Sequence, residues 1–146
     1  MKKIPVCLLF LFAAGCMSWP DVQFLNQSGH DLEISSGDLS FRLNSKETSN
    51  DFKLYEFLKY PLQIKSAKCE VNYSADVPTP QTDFENASEA GKDWLLNYKR
   101  HSARVIISPT LELRLEITHK KNSSVHDVEA FGFPARPEKL DCTSDS

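Results

Sequence analysis

Apolar and polar side chains alternate along much of this chain. Leu39, Phe41 and Leu43 alternate with Ser40, Arg42 and Asn44. Cys69, Val71, Tyr73 and Ala75 alternate with Glu70, Asn72, Ser74 and Asp76. Leu111, Leu113, Leu115 and Ile117 alternate with Glu112, Arg114, Glu116 and Thr118. A period of two puts successive side chains on opposite faces of an extended backbone. Each run therefore predicts a strand with one face in a core and one in water. Shorter runs predict further strands at Val22–Leu25, Leu32–Ser35, Leu62–Lys65, Trp94–Tyr98, Val105–Ser108 and Val125–Phe131. Turn-forming residues separate several of them, at Asn26 to Gly29, Ser35 to Asp38 and Lys120 to Ser124. Many short strands with little helical periodicity predict an all-β fold. The expected form is an antiparallel β-sandwich of immunoglobulin-like type, with a small barrel as the alternative.

Three stretches fit this pattern poorly. Asn50 to Tyr60 is ambiguous and could hold a helical turn, as could Asn86 to Trp94, where Gly91 counts against it. The longest gap, Val77 to Asp93, carries Pro78, Pro80, Asp83, Glu85, Glu89 and Asp93 against Lys92 alone. It is expected to be a solvated connection, and long loops of this kind are also candidate contact surfaces. The tail from Pro134 to Ser146 is polar and is expected to be ordered through Cys142.

The N-terminus has a different pattern. Lys2 and Lys3 precede an apolar run from Ile4 to Ala14, interrupted by Pro5. Such a run is shorter than the ~20 residues needed to span a bilayer and fits the core of a secretory signal peptide. It ends in Ala13-Ala14-Gly15-Cys16, which resembles the lipobox of bacterial lipoproteins, with Ala13 where Leu is most common. The resemblance covers the first sixteen residues. It implies cleavage before Cys16, a diacylglycerol thioether on its sulfur and acylation of the freed amine. Two or more acyl chains hold a protein stably on a membrane, whereas one does so marginally. Met17, rather than Asp, follows the cysteine, which implies sorting to the outer membrane of the bacterial cell envelope. The organisation expected is a signal peptide over 1–15, a lipidated cysteine and tether over 16–20, and one domain over 21–146. Val22 and Phe24 follow Cys16 by six to eight positions, so the domain begins within about 20–30 Å of the lipid. Trp19 lies in this stretch, either at the headgroup level or packed on the domain's own edge.

Charge then narrows the partners. Cleavage removes Lys2 and Lys3 and no acid, leaving fifteen basic and twenty acidic residues, a formal charge of −5. Such a balance argues against nucleic acid as a partner, because phosphate binding needs a basic face. The same balance argues against an electrostatic grip on anionic lipid, so the membrane partner is expected to be held through acylated Cys16. With Cys7 lost and Cys16 lipidated, Cys69 and Cys142 remain, an even pair in an oxidising compartment. One disulfide is expected, closing a loop of about 73 residues with an upper stabilisation of about 4 kcal/mol.

Catalytic chemistry is hard to find. There is no Gly-x-Ser-x-Gly, no His-Glu-x-x-His and no phosphate-cradling glycine loop. Continuing the parity of Leu111–Ile117 puts His119 on the inward side, and Val128 and Ala130 do the same for His126. The two could meet at one hairpin mouth as weak candidates for a Zn²⁺ or Cu²⁺ site, yet Asp127 and Glu129 have outward parity. His30 sits in a turn, and His101-Ser102 reads as a hairpin tip. Asn26, Asn72, Asn86 and Asn122 each open an Asn-x-Ser triplet, which polar turns explain. Phe52, Tyr55, Phe57 and Tyr60 cluster and suit either core packing or a binding surface. The expectation is a non-enzymatic interaction or assembly module of the envelope, without cofactor, binding a protein partner. A small-ligand or metal-binding lipoprotein is the alternative.

Overall fold

The computed structural model describes residues 20–74 and 84–142. The signal segment, Cys16, Trp19, residues 77–83 of the long connection and residues 143–146 lie outside the described residues. The chain forms β1 (Asp21–Asn26), β2 (Leu32–Ser36), β3 (Leu39–Leu43), β4 (Phe52–Lys53), α1 (Leu54–Leu58), β5 (Leu62–Lys65) and β6 (Cys69–Tyr73). It continues with α2 (Glu89–Asn97), a 3₁₀ turn at Tyr98–Arg100, β7 (His101–Ile107), β8 (Leu113–His119), β9 (Val125–Val128) and β10 (Lys139–Cys142).

The strands make two sheets, ordered β4-β1-β7-β8-β9 and β10-β6-β5-β2-β3, packed as an all-β sandwich. Most pairs are antiparallel. The exception is β1 with β7, which run parallel from Gln23 opposite Arg104 to Asn26 opposite Ile107. Alternation decides which face is inside. Val22, Phe24, Val105, Leu115 and Ile117 of one sheet and Ile34, Ile64 and Val71 of the other are essentially removed from water. Fully burying a side chain of this size contributes about 1.5–3 kcal/mol. The rings of Phe24, Phe41, Phe52 and Phe57 fill one end of the core, with centroids 4.6 to 6.3 Å apart. The aromatic cluster thus divides: Phe52 and Phe57 pack inward, while Tyr55 and Tyr60 are exposed.

Four expectations are corrected. The stretch Trp94–Tyr98 is not a strand but the end of α2 and the turn after it. Ser88 caps this helix, its hydroxyl accepting from Gly91 N at 3.2 Å, and its own N–H bonds Glu129 O at 3.0 Å. The buried Trp94 stands edge-on to Phe131, centroids 5.9 Å apart. Gly91 does not oppose the helix. It lets α2 lie close to β9, since a Cβ there would sit 3.0 Å from Val128 Cγ1 and 3.1 Å from Ala87 Cβ. His101 is not a hairpin tip but the buried first residue of β7. The tail is not held by its cysteine alone, because β10 pairs with β6 over four residues and Ala135 bridges Leu113.

Candidate functional site

The helix α1 follows β4 directly and turns Leu54 and Phe57 into the protein. Its first N–H donates to Pro20 O at 3.1 Å, tying it to the start of the domain. Farther along the chain, residues 130–136 fold back over the end of β8. Ala130 bridges Phe133, Ala135 bridges Leu113, and the Phe133–Pro134 bond is cis. Between these two walls lies a cleft of about 310 Å³. Phe24, Val105 and Leu113 line it from one sheet, and Leu62 and Tyr73 from the other. Leu54, Phe57 and Leu58 close one side, and Phe131 and Phe133 the opposite side. Tyr60, Ser74 and Arg136 are exposed and mark the mouth. Tyr60 is seated against Gly37, where a Cβ would lie 2.5 Å from its ring. Small-molecule sites occupy roughly 300–1,000 Å³, so this cleft admits one small apolar group.

Two of its polar side chains, Tyr73 and Arg136, are already engaged. The Tyr73 hydroxyl is buried and donates to Leu111 O. Burial pushes this phenol well above the usual tyrosine range, so it remains a neutral donor. Arg136, its side chain 85% exposed, has Nε 3.6 Å from Glu112 Oε2 at the rim. No histidine, cysteine or carboxylate is among the described residues lining the cleft. It can hold an apolar group by burial and orient a polar end at the mouth. Its described lining residues include no nucleophile with an adjacent base.

The histidines fall elsewhere. His119 meets His101, not His126, with ring centroids 5.0 Å apart and planes nearly perpendicular. This follows from the register, which sets His101 opposite His119. His126 is opposite Ile117 on the edge strand β9 and is exposed. The buried His101 ring bridges two elements: Nδ1 lies 3.0 Å from Asn97 O and Nε2 lies 3.2 Å from Asp93 Oδ2. His119 Nδ1 accepts from Lys121 N at 3.2 Å. No group of three metal-ligating side chains occurs among the described residues. Cys69 and Cys142 face each other across β6 and β10 and are joined by a disulfide spanning 73 positions.

Matches to known proteins add nothing. No protein-family model matches the chain, and no curated protein or solved structure is significantly similar to it. The cleft must be understood from its own chemistry.

One residue that sequence reasoning passed over is Asn26, buried at the end of β1. Its Nδ2 donates to the carbonyls of His30, Leu43 and Asn44 at 2.7, 3.0 and 3.1 Å. Its Oδ1 accepts from Ser28 N and Oγ at 3.0 and 2.7 Å. It joins the first sheet to the turn before β2 and the end of β3. The Asn-x-Ser triplet was the available signal, but three other triplets share it.

Proposed function

We propose that this chain is a lipid-anchored, non-enzymatic interaction module of the bacterial envelope, held in the outer membrane through acylated Cys16. Its contact point is the cleft between α1 and residues 130–136, which receives an apolar side chain of a protein partner. The observation that supports this is the cleft itself: apolar on both sides, open at Tyr60 and Arg136, and free of reactive groups among its described lining. Burying one Leu or Phe side chain there contributes about 1.5–3 kcal/mol, enough for one anchor of a larger contact. The outer strands β3, β9 and β10 offer backbone groups for strand addition. The cleft's volume also suits a small apolar ligand, the second reading.

A photo-crosslinking residue in place of Tyr60 separates the two readings. A discrete protein adduct in intact cells, lost when Leu58→Trp fills the cleft and absent with the crosslinker at Arg42, is the expected result. A lipid-sized or small-molecule adduct at Tyr60 would favour the ligand instead. No adduct of either kind from Tyr60 would overturn both.

A further inference from the structure

Basic residues gather where the chain joins the domain. The 3₁₀ turn ends in Lys99-Arg100 immediately before β7, and Lys120-Lys121 immediately follows β8. Since β7 and β8 are antiparallel with His101 opposite His119, the two basic pairs meet at one end of the sheet. Lys120 N donates to Arg100 O at 2.9 Å, and Lys120 Nζ donates to Lys99 O at 3.2 Å. All four side chains are exposed. The acids nearby are Asp51, Asp93, which faces His101, and Asp21, which pairs with Lys53 at 2.7 Å.

Two further features share that end. Because β1 runs parallel to β7, Pro20 and Asp21 emerge beside His101 and Lys120, and these residues line one surface hollow. Four positions before Pro20 stands Cys16, a reach of at most about 14 Å for extended chain. Around the basic group, Leu96 at the end of α2 is 64% exposed and Val125 at the start of β9 is 53% exposed. Exposed cations flanked by exposed aliphatic side chains suit the boundary between headgroups and acyl chains.

We infer that this end of the sandwich, formed by Lys99, Arg100, Lys120 and Lys121 with Leu96 and Val125, docks on the anionic phospholipid surface that carries the anchor. The net acidity of the chain does not oppose this. Screening limits each charge to about 8–10 Å, so the local group and not the total decides the contact. Each cation near an anionic surface favours docking by about fivefold. Docking fixes the orientation of the domain. The inference rests on Cys16 being acylated, so the test reads anchoring and docking separately.

The mature lipidated protein is placed on vesicles of phosphatidylcholine alone and on vesicles with one-third phosphatidylglycerol. Flotation on pure phosphatidylcholine reports the anchor. Amide hydrogen exchange over residues 95–101 and 118–126 reports the docking face. Exchange at least threefold slower on the anionic vesicles is expected, with β3 unchanged. The difference should vanish in high salt and in the K99E/R100E/K120E/K121E variant, and shrink in the corresponding glutamine variant, which adds no repulsion. Flotation on both vesicles with equal exchange would overturn the docking face alone. Failure to float on phosphatidylcholine would overturn the anchor. Flotation confined to anionic vesicles and abolished by charge reversal would still support the basic face, and its absence there would overturn that too.

Discussion

Replacing Asn26 by alanine removes five hydrogen bonds at one point, three donated by Nδ2 and two accepted by Oδ1. Those to Leu43 O and Ser28 N are buried, so water does not replace them. A buried polar group left without a partner costs about 1–3 kcal/mol. His30 O and Asn44 O are partly accessible and cost less. The expected destabilisation is about 3–4 kcal/mol, at the upper end for a single substitution. Asn122 is an internal control, because its Oδ1 accepts from Ser124 N at 3.1 Å and Ser124 Oγ at 2.8 Å in the same local turn. It is exposed, so Asn122→Ala should cost about 0.5 kcal/mol or less. Urea unfolding of the purified protein measures both. With a slope of about 1–3 kcal/mol/M, Asn26→Ala should lower the midpoint by at least about 1 M, while Asn122→Ala leaves it nearly unchanged. Asn26→Asp, which sets a carboxylate oxygen against three carbonyls, should be at least as damaging as alanine. Midpoints for the two alanine variants that agree within error would refute the role assigned to the buried Nδ2.

Other outcomes follow from single sites. In the unfolded chain the Tyr73 phenol ionises near 10.0, whereas burial keeps it protonated to higher pH in the fold. The unfolded state therefore releases its proton first, and stability should fall as pH rises above about 10. Tyr73→Phe should cost about 1 kcal/mol at neutral pH and flatten that alkaline fall, both read from denaturation curves across pH. Replacing Cys69 and Cys142 together by serine should lower stability by about 2–4 kcal/mol, measured against wild type with and without reductant. Wild type under reductant should approach the variant. His101→Ala should cost about 2 kcal/mol by removing the links to Asn97 and Asp93, and calorimetry should show the lower transition temperature. An unchanged transition would mean that the ring does not tie α2 to β7.

The strands were legible because a half-buried sheet imposes a period of two. Leu39 to Leu43, Cys69 to Tyr73 and Leu113 to His119 are strands for that reason. The helix α2 was legible only as a possible turn over Asn86 to Trp94, because its buried face is written in Gly91 and Trp94, three positions apart. Gly91 suggested a break, yet it is the close approach to Val128 that calls for it. The cleft could not be foreseen, since Leu58, Phe131 and Arg136 are brought together only by the fold. The hairpin expected to join His119 and His126 did not do so, because an inward parity on an edge strand does not ensure burial. The basic face was hidden by averaging over the whole chain. Lys99-Arg100 and Lys120-Lys121 stand twenty-one positions apart, and only the equal lengths of β7 and β8, seven residues each, bring them back together.

The parallel pairing of β1 sets an order of events during synthesis. β1 is the first of the described strands to be made, yet its central partner β7 lies about eighty positions later, with Gln23 set against Arg104. Until that later segment has been made, β1 has residues 46–49 and β4 along one side only, so the leading strand waits with its other side open. A chaperone or a neighbouring copy that meets the emerging chain meets this strand first. Slowing synthesis should therefore raise misassembly at β1 more than at any strand of the second sheet.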